Sequence, residues 1–342
     1  MRRNFCTYFD HNYLSRGLAL YESLTTWCHD FEMWILCLDD RCHEVLDDLD
    51  LPNVNLIRLQ DFEAGDTDLL AAKKTRSLLE YYFTCTPSLP LYVFENWRDI
   101  ESITYLDSDI FFFSSPDPVF DEVGENSVAM IEHRFSPGLE SLKQFGIFNV
   151  GWITFRRDRN ALDCLNWWRD RCNEWCYKRL EGDRFADQKY LDQWPSRFNK
   201  VIVLQHKGAN LGPWNVSNYE LTLDEGRVLV DGQPLVFFHF HGLMPLFGPV
   251  YDLSVAQYGV LPNRVLAKHI YTRYIRTLGE ISRRYKTEAF SRVGDGNSIE
   301  AGSKLEPYVD RVTMLQRTRK QLRLVYNLLL RRYVIVLGRH PQ

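Results

Sequence analysis

The chain has 342 residues, 45% of them hydrophobic and 14% aromatic, enough for one large α/β domain with an appendage or for two domains. A net charge of −4 excludes a general nucleic-acid binder, and no apolar run reaches the length of a membrane span. Strand-like sequence begins almost at once after Met1, so no signal peptide is expected. The eight cysteines include no Cys-x-x-Cys pair, and most sit among apolar residues. They read as reduced core or helix residues of a cytosolic protein. Cys172 and Cys176 are one helical turn apart but lack matched metal-binding partners nearby.

Phe5 to Phe9 is a short strand that runs into Asp10-His11-Asn12-Tyr13. Leu14, Gly17, Leu18, Tyr21 and Leu24 then fall at helical spacing. Phe31 to Leu38 is nearly unbroken apolar sequence, as in a strand covered on both faces. Val54 to Leu59 is another strand. This alternation predicts a doubly wound, mostly parallel sheet flanked by helices. Ligands of such sheets bind beyond the carboxyl ends of strands, which puts Thr7, Tyr8, Asp10, Asn12 and Tyr13 at a ligand edge. Asp10 or Asn12 also suits a helix cap, and both readings hold together.

Lys73 to Cys85 is predicted helical and carries Lys73, Lys74 and Arg76, which suit either a phosphate contact or a solvated face. Next comes Ile103 to Phe113, an apolar strand interrupted by Asp107-Ser108-Asp109. Two positions apart in an extended segment, Asp107 and Asp109 share a face. Two like charges in a sheet core are expensive unless a cation joins them, and hard oxygen donors suit Mg²⁺ or Mn²⁺. A simple polar turn is the competing reading.

Ser127 to Ile131 is a further strand. In Phe148 to Phe155, large residues alternate around Asn149 and Gly151, and a strand glycine marks a close approach. Asn160 to Leu180 is an aromatic-rich helix. Phe185 to Leu191 follows, and Lys200 to Gln205 is a strand. His206 to Asn215 is a polar loop containing Asn210 and Trp214. Val228 to Phe240 is a hairpin through Asp231-Gly232, ending in His239-Phe240-His241-Gly242. From about Pro262 the composition turns basic, which divides the chain into 1–261 and 262–342. Within the second part, 311–336 is a basic amphipathic helical pattern suited to an anionic membrane surface, the body of the protein or a second subunit.

Taken in order, these segments resemble GT-A nucleotide-sugar glycosyltransferases, most closely glycosyltransferase family 8 and related bacterial enzymes, over roughly the first two-thirds of the chain. Asp10-His11-Asn12-Tyr13 resembles the family's Asp-x-Asn-Tyr nucleotide contact. Leu106-Asp107-Ser108-Asp109 resembles its metal-binding Asp-x-Asp, with Asp107 and Ser108 also at the nucleotide. Phe148-Asn149-Val150-Gly151 resembles the Phe-Asn-Ser-Gly that faces the donor sugar, with Val150 in place of Ser. Asp187-Gln188 resembles the Asp-Gln pair beside the anomeric centre, which makes these two the expected catalytic residues. His239-Phe240-His241-Gly242 resembles the late His-Phe-x-Gly, whose first histidine is the third metal ligand.

The resemblance implies a GT-A fold and a donor that is a nucleoside-diphosphate-sugar, by family a UDP-sugar. It implies Mn²⁺ or Mg²⁺ on Asp107, Asp109 and His239, and Arg76 at the nucleotide. Asn149, Gly151, Asn210, Trp214, His241 and Gly242 are expected at the sugar or the acceptor. The acceptor would be a glycan or a lipid-linked saccharide, and the basic tail points to one presented at the inner membrane face to a cytoplasmic protein. The chain departs from the family after Gly242, where Leu-Met-Pro-Leu replaces a Lys-Pro-Trp whose lysine binds diphosphate. Lys207, Lys73 and Arg76 are the substitutes considered. A non-catalytic binder on the same fold and a sugar nucleotidyltransferase are the alternatives. The latter typically needs a Gly-rich phosphate loop after the first strand, which is not found here.

Overall fold

Strands and helices alternate from the start: β1 (Arg3–Phe9), α1 (Leu14–Trp27), β2 (Phe31–Cys37), α2 (Asp40–Leu49) and β3 (Val54–Arg58). The structure is a computed structural model that describes residues 2–247, 249–285, 326–327 and 329–336. Leu14, Leu18, Tyr21 and Leu24 all lie on the buried side of α1, as their spacing predicts. Gly17 lets this helix close on β1, since a Cβ there would stand 2.2 Å from the Phe9 ring. α2 begins at Asp39, whose carboxylate accepts from the Cys42 amide at 2.8 Å.

After α3 (Leu59–Glu63), the segment expected as one helix over 73–85 is two. α4 (Thr67–Lys73) stops, and α5 (Leu78–Cys85) starts afresh because Ser77 and Glu80 form a reciprocal capping box. Arg76 therefore lies in the connection rather than on a helix face. α6 (Ser88–Asn96) leads into β4 (Ser102–Leu106), which is followed by β5 (Ile110–Phe112), α7 (Asp117–Val123), β6 (Val128–Glu132) and β7 (Phe148–Arg156). α8 (Arg159–Glu174) ends earlier than the predicted helix, because Trp175 turns to extended backbone. α9 (Trp194–Arg197) and β8 (Val201–Leu204) complete the main sheet.

The seven-stranded sheet has the order β3-β2-β1-β4-β7-β6-β8. β3, β2, β1 and β4 run parallel, β7 is antiparallel to both β4 and β6, and β8 is parallel to β6. The mostly parallel, helix-flanked α/β architecture is the one predicted. β1 sends Phe5 and Phe9 into the apolar core on one side and Cys6 into the core on the other. All eight cysteines are buried and free.

The hairpin through Asp231-Gly232 forms, but within a meander of β9 (Leu221–Asp224), β10 (Arg227–Val230) and β11 (Gln233–Pro234). The chain then leaves it. β12 (Phe237–His239) pairs antiparallel with β5, with Phe237 opposite Phe112 and His239 opposite Ile110. Trp152 stacks on Phe237 at 5.3 Å, so an aromatic layer fixes this small ladder against the main sheet.

β13 (Met244–Phe247) and β14 (Val250–Asp252) follow. A π-helical segment over Val265–Tyr271 then runs into α10 (Thr272–Tyr285), which packs on α1. Tyr274 stacks on Phe240 at 3.8 Å, and Arg284 pairs with Glu22 of α1 at 2.6 Å. Most of the 311–336 pattern lies outside the described residues. Its described end contains β15 (Tyr333–Ile335), a strand antiparallel to β14 rather than the end of a helix. The β-branched Val334 and Ile335 favour that conformation. Among the described residues no helix is long and apolar enough to cross a membrane.

Candidate functional site

β4 delivers the chain to a tight turn. The Asp107 amide donates to Gly151 O at 3.2 Å, and the Ile110 amide donates back to Asp107 O at 3.2 Å. The two carboxylates are therefore not on one face of a continuous strand, as the sequence suggested. The turn ends β4 and re-aims the chain into β5. It still brings the acids together, because the β5–β12 ladder carries His239 to them. His239 Nε2 stands 2.9 Å from Asp109 Oδ1 and 3.7 Å from Asp107 Oδ2. One ligand atom from each of the three residues lies within 4.8 Å of the others.

The side chains are graded in exposure, with His239 at 5%, Asp109 at 17% and Asp107 at 30%. One edge of the cluster is thus open. Burial pushes the Asp109 carboxyl up, but the charge and hydrogen bond of His239 pull it down to about 2. Burial and the like charge of Asp109 leave Asp107 raised, against the pull of His239 and of the Tyr105 hydroxyl, which donates at 2.9 Å. Burial alone would lower His239, yet the two carboxylates raise it.

Gly151 sits against the imidazole. A Cβ there would fall 2.9 Å from His239 Nδ1 and 2.6 Å from Asn149 Oδ1. Asn149 Oδ1 accepts from the Gly151 amide at 3.0 Å, while its Nδ2 donates to His133 Nε2 at 3.1 Å. His133 Nδ1 faces Ile147 O at 3.2 Å, so the partners assign the proton to Nδ1. Burial lowers His133 to about 3 and His241 to about 4, the latter helped by the charge on His239. Trp214 stands edge-to-face with all three histidines, His239 at 5.2 Å, His133 at 5.4 Å and His241 at 6.0 Å.

A second group lies alongside. Asp187 is buried and lifted to about 7 by desolvation, with a Thr86 hydrogen bond opposing and the charge of Asp107 adding. Trp168 Nε1 donates to its backbone carbonyl at 2.8 Å. Tyr8 shares a hydrogen bond with Thr86 at 3.0 Å, and its ring lies 5.7 Å from that of Tyr105. Burial and then the charges of Asp187 and Asp107 push the Tyr8 phenol well up.

The remaining predicted residues fall around these two groups. Thr7 is fully buried in β1, and its hydroxyl has no hydrogen-bond partner. Asp10 does act as a cap, accepting from the Asn12 amide and side chain at 3.0 Å each. Tyr13 lies under the Arg16 guanidinium at 4.3 Å. Ser108 is the middle residue of the acidic turn. Gln188 Nε2 donates to Phe145 O at 2.8 Å. Asn210 is buried in the loop before Trp214, with Nδ2 on Glu132 O at 3.3 Å. Gly242 takes φ +74° beside Ser254.

Arg76 is held elsewhere, on Asn173 O at 3.2 Å and over the Tyr177 ring at 3.9 Å. Lys73 pairs with Glu63 at 2.6 Å and Lys207 with Asp231 at 2.9 Å. Sequence reasoning missed Thr86, Tyr105, His133, Asp39 and Arg16. Asp39 had a signal, since it follows β2 at the same strand edge and holds the His11 amide at 3.0 Å. Thr86 and His133 had none.

The chain is 32% identical over 278 residues to the uncharacterised protein YfnD of Bacillus subtilis (strain 168), covering 80% of this chain and 88% of that one. It is 34% identical over 250 residues to the uncharacterised YfnF of the same organism, covering 71% and 82%. The chain belongs to the YfnD/YfnF family. No family model matches it. This YfnD/YfnF family chain is also similar to the solved galactosyltransferase LgtC in complex with donor and acceptor sugar analogues, at 17% identity and TM-score 0.48, over 70% of this chain and 87% of that one. It is similar to mouse xyloside xylosyltransferase 1 at 13% identity and TM-score 0.44, over 62% and 88%. Likeness at this level supports no residue-by-residue transfer.

Proposed function

We propose that this chain is a metal-assisted glycosyltransferase that moves a sugar from a nucleoside-diphosphate-sugar, with UDP-sugars the first to try, to a glycan or lipid-linked saccharide. The observation that carries the reading is the meeting of Asp107, Asp109 and His239 with one edge open. Two carboxylates and an imidazole suit Mn²⁺ or Mg²⁺. The His239 nitrogen turned away from the acids, Nδ1, is buried against Gly151 with no hydrogen-bond partner, and Nε2 is the atom that faces the two carboxylates. Such an ion supplies charge neutralisation of a departing diphosphate without a proton.

The chain's own residues account for the rest. Asn149, locked by His133 on one side and Gly151 on the other, offers a rigid amide beside the His239 ring. Asp187 is close enough to Asp107 to feel its charge, so a carboxylate stands near the corner where a sugar would part from its diphosphate. Ionised, it would hold sugar hydroxyls or stabilise positive charge on the ring. Gln188 lies next to it. The strand-edge residues Tyr8, Asp10, Asn12 and Tyr13 would face the nucleotide.

The test is release of nucleoside diphosphate from a panel of nucleotide-sugars with Mn²⁺ or Mg²⁺, with and without saccharide acceptors. Turnover that stops on chelation and returns with metal supports the reading. Binding with neither transfer nor hydrolysis would establish the binder reading instead. For a membrane-presented acceptor, the full chain is expected to pellet with anionic vesicles and a chain ending near Pro262 is not.

A further inference from the structure

The charge balance of the acidic corner leaves a gap. Two carboxylates offset one divalent ion, so the negative charge of a bound diphosphate needs another cation. The lysines that the sequence offered are engaged elsewhere: Lys73 on Glu63 and Lys207 on Asp231, both in partly exposed pairs. Arg76 faces Asn173 and Tyr177. Arg16 differs from these in place: it occupies the first turn of α1, beside the acidic corner, and is 7% exposed.

Its surroundings belong to the site. The guanidinium lies 4.3 Å from the centre of the Tyr13 ring, at the strand edge assigned to the nucleotide. Nη2 donates to Leu243 O at 3.3 Å, in the segment that directly follows His239-Phe240-His241-Gly242. The Asp109 backbone is tied to the same segment, since the Phe240 amide donates to Asp109 O at 3.0 Å. The charge of Arg16 is also felt at the Asp109 carboxyl, which it helps to draw down.

We propose that Arg16 is a donor-binding residue whose guanidinium meets the diphosphate of the nucleotide-sugar at the side of the corner formed by Tyr13 and Leu243. This rests on the glycosyltransferase reading and adds to it. The segment Leu243-Met244-Pro245-Leu246 carries no cation of its own, so the cation arrives from a helix instead of from the loop. The charge of a second cation, Lys178, is felt at His241. It provides the control.

The experiment is calorimetric titration of Mg²⁺-loaded protein with UDP, GDP, ADP and dTDP, each against its own nucleoside. For the diphosphate that wild type prefers, Arg16→Met is expected to weaken binding about tenfold or more while nucleoside affinity stays within about twofold. Lys178→Met is expected to leave both unchanged. Equal loss of diphosphate and nucleoside would show that Arg16 only braces Tyr13 and the 243 segment, and would overturn the proposal. So would an unchanged Arg16→Met, or loss in Lys178→Met alone. If Arg16→Met does not fold, the Arg16 Nε–H resonance of the wild type, identified by its absence in R16K, carries the test. It is expected to shift with the diphosphate and not with the nucleoside, and a resonance indifferent to both overturns the proposal. A wild-type chain that binds no nucleoside diphosphate overturns the donor reading itself, a result distinct from any of these.

Discussion

Asp109 and Asp187 both interact with the charge of Asp107 and have opposite fates. Both are screened from water, yet Asp109 is drawn to about 2 and Asp187 is lifted to about 7. Asp109 has an imidazole at 2.9 Å and feels the charges of His241 and Arg16. Asp187 has a threonine hydroxyl and buried phenols nearby, together with the like charge of Asp107. The contrast separates two jobs. One carboxylate is a fixed anion, ready for a cation at any physiological pH, while the other changes charge near neutrality.

The sharpest way to break this comparison is to neutralise the fixed anion. Asp109→Asn is expected to lower sugar transfer by about 10³-fold with a folded protein, measured as nucleoside diphosphate release at saturating metal. Next in size is Gly151→Ala, whose methyl would crowd both His239 and Asn149. Metal affinity is expected to fall by about 10- to 100-fold, read by Mn²⁺ titration followed by electron paramagnetic resonance.

The titrating member is probed through stability. Asp187 in the folded chain holds its proton to about pH 7, far above the ordinary carboxylate value of about 4 in the unfolded chain. Its contribution is therefore fully present below about pH 4 and is lost as pH rises to about 7. Across that window, wild type is expected to lose about 1.4 kcal/mol per pH unit relative to Asp187→Asn in urea unfolding. The smallest effect lies outside the acidic corner. Ser77→Ala removes one half of the α5 capping box and is expected to cost about 1 kcal/mol of stability, with metal affinity unchanged.

The sequence disclosed these two regions unequally. The parallel part of the sheet was legible because β2 is a nearly unbroken apolar run, β4 is largely apolar and α1 keeps helical spacing. The acidic corner was legible as a set of residues but not as a geometry. Nothing local announces that the chain turns at Asp107-Ser108-Asp109, or that β12 abandons its hairpin to pair with β5. Those outcomes are decided by tertiary partners such as Trp152 and Phe237. The surroundings of Asp187 were the least legible. Thr86 comes from a helix end and Tyr105 from a neighbouring strand, and neither carries a pattern of its own. The split between α4 and α5 is written locally, since Ser77-x-x-Glu80 is a helix start signal inside the 73–85 segment.

The pairing of Ile110 with His239 has a consequence for how the molecule comes into being. These partners are far apart along the chain, and closing so long a loop is slow. On the ribosome, the acids emerge long before the imidazole that completes their set. The first strands are able to assemble while the corner is still only a bare pair of negative charges. The proposed metal corner is therefore completed late in biosynthesis, and a chain cut short before residue 239 is expected to build much of the sheet yet lack His239. A divalent cation present as β12 docks would reward that final step by joining the two ends of the long loop.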